Sequence, residues 1–243
     1  MEEDSENQEK KAMFIPKTLR IFMSYSEDDK IIAGGVKDAL NKYGIQTFLA
    51  HDDIAPGIEW EDEIILNIKK SDIFMTLLSE GFKKSKWTDQ ETGMAIANSK
   101  FIIPVCLDET MPYGFMKRYQ AFKKFDVEIR EIHGKDTVVC YDDVLKIITF
   151  ISERIEFKEN VKDSLITSLT NVWNFRDAER HFELLLSLGP FSKEQINQIL
   201  IESAKDSQIY NAHGCQRMIN ELIKKYKKDL EQENVQKILE LIE

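Results

Sequence analysis

Cysteine is scarce in this chain. Its three cysteines, Cys106, Cys140 and Cys215, form an odd, widely spaced set with no CxxC pair, which argues against a disulfide scaffold and for reduced thiols. Basic residues are in deficit: 33 Lys and Arg stand against 43 Asp and Glu, a formal net charge of −10. Nucleic-acid binding needs a dense cationic face to displace counterions, so nucleic acid is not an expected partner. No apolar run approaches the roughly eighteen residues of a membrane helix. The opening MEEDSENQEKKA is acidic where a secretory leader is basic and then apolar. The expectation is a cytoplasmic protein with no membrane partner.

Glycine-rich nucleotide loops are missing too. Neither GxGxxG nor GxxxxGK-Ser/Thr occurs, which disfavours a dinucleotide dehydrogenase and a P-loop NTPase. A metal site is not expected either: His213-Gly214-Cys215 lacks a second ligand pair and reads as structural. The basic run at 224–228 reads as the solvated face of a helix.

What is present is the balance of a folded protein, 42% hydrophobic and 31% charged residues. Residues 1–16 are expected to be a disordered tail. From 17 to 158, apolar runs alternate with amphipathic stretches. LRIFMSY (19–25), IQTFLA (45–50), DIFMTLLS (72–79), FIIPVCL (101–107) and TVVCY (137–141) read as strands. Helical spacing covers 29–43, 60–70, 86–98 and 143–155, and Gly44 stands where a helix is commonly stopped. Five alternations predict an α/β, flavodoxin-like fold: a five-stranded parallel sheet with helices on both faces.

From 159 to 243 the strand signal disappears and helical periodicity continues, predicting a C-terminal all-helical domain. Ser192 and Gln195 make a capping-box start, and Gly189-Pro190 breaks the helix before it. Val172, Trp173, Phe175, Phe182, Leu185 and Leu186 supply enough apolar surface for a core.

An ordered series of motifs runs through the first domain: FMSYSEDD (22–29), FLAHDDIAPG (48–57), Trp60, and SDIFMTLLSEGFKKSKWTDQE (71–91). The series resembles the TIR family, particularly its bacterial members. The family pattern has a first strand ending in Ser-aromatic and a second ending near an acidic loop closed by Pro-Gly. A Ser-Asp opens its third strand, and Ser-x-Trp-x-x-x-Glu follows. In catalytic members that glutamate is essential for cleaving NAD⁺ between nicotinamide and ribose. The resemblance therefore implies a catalytic role for Glu91, with Trp87 one helical turn before it on the same face. It also places a nucleotide-contacting aromatic at Tyr25, beside Ser26, and makes Asp52 part of a loop that borders the site and contacts neighbouring subunits.

The chemistry is sensible for one carboxylate. Nicotinamide leaves a cationic pyridinium as a neutral molecule, so its departure needs no general acid. The ribose gains oxocarbenium character, which an adjacent anion stabilises. NAD⁺ would then be substrate, with no cofactor. Each residue also has a plainer reading. Thr88-x-x-Glu91 matches a capping box, Trp87 suits a core or rim aromatic, Tyr25 and Ser26 suit an ordinary strand-to-helix turn, and Asp52 and Asp53 suit a solvated loop.

The resemblance implies an NAD⁺-consuming enzyme of anti-phage defence. Its products would be nicotinamide and either ADP-ribose or a cyclic ADP-ribose isomer. Self-association through the TIR domain is expected, with a separate effector protein or a phage-derived trigger as further partners. The competing expectation is a non-catalytic TIR adaptor acting by self-association. A receiver-like or nucleotidase domain would need an acidic metal cluster, for which Asp52 and Asp53 are too little.

Overall fold

The computed structural model describes residues 14–49, 60–123, 125–132 and 135–242. Two compact units divide the chain, one spanning Lys17–Asn171 and one containing Val172–Glu243.

The first unit is built on four parallel strands: β1 (Arg20–Ser24), β2 (Gln46–Leu49), β3 (Ile73–Leu78) and β4 (Phe101–Cys106). Their order is β2-β1-β3-β4, with Ser24 beside Thr76 and Thr76 beside Pro104 in register. All six residues of β3 are buried, as expected of a near-continuous apolar run in a strand covered on both faces. The helices α1 (Lys30–Lys42), α2 (Trp60–Lys70), α3 (Glu80–Lys84) and α4 (Lys86–Ala97) are the crossovers. Helices α2 and α4 pack together over one face of the sheet. There Phe22, Phe74, Ile64, Ile68, Ala95 and Ile102 form a core, with Phe22 and Phe74 stacked at 5.4 Å. The sheet order reverses between β1 and β3, and the carboxyl ends of strands at such a switch point are where open α/β sheets bind ligands.

The expected fifth parallel strand is absent among the described residues. The first three residues of TVVCY fall instead in β6 (Lys135–Val139), which pairs antiparallel with β5 (Glu128–Ile132) in a separate hairpin. EIREI carries three charged residues in five, and Ile129 is half exposed. Such a pattern suits a hairpin with one wet face better than a doubly covered strand. The place beside β4 is taken by one bridge, Val105 to Phe122. Phe122 donates to Pro104 O and accepts from the Cys106 N–H, both at 2.9 Å.

Helices α5 (Tyr141–Ser152) and α6 (Lys158–Thr167) complete this unit. The compact unit itself runs on through α6 to Asn171. The reason is visible at α6, where Asp163 accepts from the Lys17 N–H and Ser164 Oγ from the Leu19 N–H, each at 2.9 Å. Gly44 ends α1 as the sequence suggested, at φ +72°, and a Cβ there would lie 2.1 Å from the Ser164 carbonyl oxygen. Only glycine meets both demands.

The second unit contains α7 (Phe175–Ser187), α8 (Lys193–Ser203), α9 (Ser207–Tyr210), α10 (His213–Lys225) and α11 (Gln232–Ile242). The Ser192–Gln195 capping box is present at α8. Phe182, Leu185, Ile196, Ile199, Leu200, Ile219 and Ile238 are buried. Of the expected apolar stripe, Val172 is also buried, whereas Trp173 and Phe175 are exposed. Cys215 is fully buried and His213 exposed.

Candidate active site

Helix α4 starts after Ser85 and presents Thr88, Glu91, Thr92 and Ala95 to the interior, the three- and four-residue spacing of one helical face. Ala95 packs into the core beneath Phe22. One turn nearer the carboxyl edge, the same face carries a carboxylate. Strand alternation puts Ser24 on the side of the sheet that Phe22 occupies, and Ser24 closes β1. Its hydroxyl donates to Glu91 Oε2 at 2.5 Å. Ser24 and Glu91 are both fully buried. The other oxygen, Oε1, has no hydrogen-bond partner among the described residues.

A buried carboxyl with one hydrogen bond is costly to ionise. Burial pushes the Glu91 carboxyl from its ordinary value of 4.5 up to about 7, against the downward pull of the Ser24 hydroxyl. A displacement of that size disfavours the charged form by roughly 3 kcal/mol. Near neutral pH the group is therefore poised between acid and carboxylate, a property concentrated at functional sites.

The capping reading of Glu91 fails on this geometry. Thr88 is not an N-cap: it lies inside α4, and its hydroxyl sits 2.8 Å from the carbonyls of Phe82 and Ser85. Glu91 reaches across to the sheet instead.

The loop after β1 is tied to the exit of β3. Ser26 donates to Asp29 Oδ2, and Ser79 donates to the same oxygen at 2.5 Å. Ser79 also caps α3 by accepting from the Phe82 N–H at 3.0 Å. Gly81 makes this approach possible, because a Cβ there would meet Ser26 Oγ at 2.7 Å. On the outer side of α4, the Tyr113 phenol donates to Asp89 Oδ1 at 2.8 Å. Burial, and then the Asp89 carboxylate, push that phenol upward and keep it protonated as a donor.

Of the residues singled out from sequence, Glu91 and Trp87 lie one turn apart on α4, Glu91 buried and Trp87 37% exposed. Tyr25 and Ser26 lie at the carboxyl end of β1, and both are buried. Asp52 lies outside the described residues. Ser24, Asp29 and Ser79 were not anticipated. The alternation Phe22-x-Ser24 pointed to the first, since it sets a hydroxyl on the α4 side of the switch point. The link from Asp29 to Ser79 carries no local signal.

Two surface grooves open elsewhere, at the amino-terminal edge of the sheet. One of about 560 Å³ is lined by Asp72, Ser99, Lys100 and Glu156 among others, and one of about 220 Å³ by Gln46, Asn67 and Lys70 among others. Size does not mark the chemistry here, because neither contains Glu91 and the ligand edge of an open α/β sheet is the carboxyl one. Among the described residues no group of three or more His, Cys, Asp or Glu is placed to hold a metal ion. No helix among them is long and apolar enough to cross a membrane.

A doubly wound α/β unit with a buried glutamate at its switch point defines the class. Within it, residues 21–134 match the family model described as TIR domain, and this segment is a TIR domain. Among solved structures, the TIR domain of the Toll-related receptor TRR-2 from Hydra magnipapillata is 21% identical, with a TM-score of 0.39. That match covers 43% of this chain and 84% of the other. The TIR domains of the activated Roq1 resistosome, which directly recognises the pathogen effector XopQ, are 16% identical with a TM-score of 0.35. There the match covers 70% of this chain and 98% of the other. No curated protein matches the chain.

Proposed function

We propose that the chain is an NAD⁺ nucleosidase in which Glu91 stabilises the transition state for breaking the nicotinamide–ribose bond. The observation that carries this reading is the Glu91 carboxyl itself: buried, fixed at Oε2 by Ser24, and without a partner at Oε1 among the described residues. A buried acceptor left unpaired costs about 1–3 kcal/mol, a cost that a structural carboxylate has no reason to bear. A ribose hydroxyl donated to Oε1 would remove it. As the C1′–N1 bond breaks, its electron pair leaves with neutral nicotinamide and positive charge grows on the ribose ring. A carboxylate in low dielectric opposes that charge strongly. Water attacking C1′ gives ADP-ribose and a proton, whereas attack by an adenine nitrogen gives a cyclic isomer. Trp87, Tyr25, Ser26 and Asp52 are the residues assigned to substrate binding. No cofactor is required, since NAD⁺ is consumed. Signalling in anti-phage defence, through self-association and a separate effector or a phage-derived trigger, is the setting this activity fits.

Incubating the full chain with NAD⁺ and resolving the products by chromatography tests the reading. Nicotinamide released with ADP-ribose or a cyclic isomer is the expected result, and intact NAD⁺ across a range of protein concentrations overturns it. One observation favours a second reading, a non-catalytic adaptor acting by self-association: Glu91 has no exposed surface. Intact NAD⁺ together with concentration-dependent assembly by light scattering is its signature.

A further inference from the structure

Ser24 is the last residue of β1 and is fully buried beside Thr76 of β3. Its hydroxyl carries one proton, and that proton is committed to Glu91 Oε2 at 2.5 Å. A glutamate side chain has three rotatable bonds, so an unheld carboxyl in this space could turn either oxygen outward or inward. Held at Oε2, it has one way to present Oε1. We propose that Ser24 is a positioning residue of this site, fixing the Glu91 carboxyl so that Oε1 alone faces an incoming hydroxyl-bearing ligand. The inference rests on the reading of Glu91 as the NAD⁺-cleaving carboxylate. Ser24 does not touch the reacting atoms; it acts through Glu91.

The same bond favours ionisation of a carboxyl that burial otherwise keeps protonated. No charged group among the described residues on the packed elements supplies this instead. On α2, Glu61, Asp62, Lys69 and Lys70 are exposed, and Glu63 accepts from Asn67. On α3, Lys83 is exposed, and Glu80 and Lys84 pair with each other at the surface. Asp89 of α4 accepts from Tyr113, and Arg20, at the far end of β1, donates to Gln46. Among the described residues, burial and Ser24 are the two influences on Glu91.

The test uses the full chain with Ser24→Ala, Ser24→Cys and Ser24→Thr, assayed for NAD⁺ cleavage from pH 5.5 to 9. Losing a hydrogen bond to a charged group should lower kcat in Ser24→Ala by about tenfold or more. KM should change little, and the acid limb of the profile should move upward by about one pH unit. Ser24→Thr keeps the donor and restores both, while Ser24→Cys, a weaker donor of similar size, falls between them. A Ser24→Ala or Ser24→Cys protein with wild-type kcat and an unmoved acid limb overturns the proposal. If the wild-type chain cleaves no NAD⁺, the function reading has failed, and the Ser24 contact is judged separately. Its readout is then the titration of the Glu91 carboxyl, followed by infrared difference spectra against Glu91→Gln. A higher midpoint in Ser24→Ala supports the contact, and an unchanged midpoint overturns it.

Discussion

Asp29 accepts a 2.5 Å hydrogen bond from Ser79, a residue 50 positions further along the chain. Through it the turn after β1 is fastened to the exit of β3, the two strands that flank the switch point. Ser26 gives its proton to the same carboxylate oxygen, so one acid organises both lips of the ligand edge.

The two serines are not equivalent. Ser79→Ala removes the bond to Asp29 and also the cap on α3, whereas Ser26→Ala removes the Asp29 bond. A lost cap costs about 1 kcal/mol and a hydrogen bond to a charged group about 1.5–3 kcal/mol. Urea denaturation should therefore find Ser79→Ala the more destabilised of the two by about 1 kcal/mol. Equal or reversed losses would mean that the Ser79 cap adds nothing to α3, and near-zero losses in both that the Asp29 network does not hold the edge together.

How far the sequence disclosed this architecture depends on the range of the interactions. The four parallel strands were legible because each is an apolar run set off by turns, and β3 most of all. TVVCY was misplaced since a short β-branched run does not say what it pairs with; EIREI, its partner, is too charged for a doubly covered sheet. Helix α6 falls in the first compact unit, a placement periodicity leaves open because it reports a buried face without saying which core buries it. Glu91 was legible through a family pattern, not through its own neighbourhood, where Thr88 and Glu91 imitate a cap. Ser24 and Asp29 act across 67 and 50 residues, beyond the reach of any local pattern.

Glu91→Gln should reduce NAD⁺ cleavage by about a hundredfold or more, because it removes the charge that opposes the oxocarbenium ion while keeping the side chain's size. In the wild type, kcat/KM should rise with pH through about 7, the value at which the carboxyl ionises. Full activity of Glu91→Gln, or a wild-type profile flat from pH 5.5 to 8, would remove the carboxylate from the mechanism.

The same carboxyl makes a claim on stability with the opposite pH trend. Its folded value, about 7, lies above its ordinary 4.5, so between those values the native state holds more protons than the unfolded state. Stability contributed by the protonated group is complete below about 4.5 and is lost as pH rises through 7. Glu91→Gln does not titrate. Its melting temperature relative to wild type should therefore climb from pH 4.5 to 8, with a free-energy difference growing by up to roughly 3 kcal/mol. A constant difference across that range would show that Glu91 ionises as freely in the folded protein as in the unfolded one.

Gly44→Ala should be among the most damaging single-methyl changes in the chain. The residue sits at φ +72°, and its new Cβ would lie 2.1 Å from the Ser164 carbonyl oxygen, a backbone atom that cannot rotate away. Left-handed strain alone costs about 1–2 kcal/mol, and relieving the clash means moving α6 off the end of α1. A loss above about 2 kcal/mol in chemical denaturation is expected, and a near-neutral result would mean that α6 is not seated there.

The place of α6 in the first unit yields the sharpest test of where that unit ends. A chain cut after Asn171 keeps α6, and one cut after Lys158 loses it. The helix buries Val161, Leu165 and Ile166, aliphatic side chains worth about 1.5–3 kcal/mol each. It also supplies Asp163 and Ser164 as acceptors for the N–H groups of Lys17 and Leu19, the residues that lead into β1. Together these contributions are comparable with the roughly 5–15 kcal/mol that separates a folded domain from its unfolded chain. The fragment 14–171 should melt cooperatively, and at high concentration it should retain NAD⁺ cleavage if Val172–Glu243 serves assembly or sensing rather than chemistry. The fragment 14–158 should be unfolded or aggregated, with the Leu19 N–H stripped of its partner and the inner surface beneath α6 laid bare. Cooperative melting of both fragments with similar midpoints would put the boundary back at the end of α5. Failure of both would mean that the sheet needs the helices beyond Val172 as part of its own core.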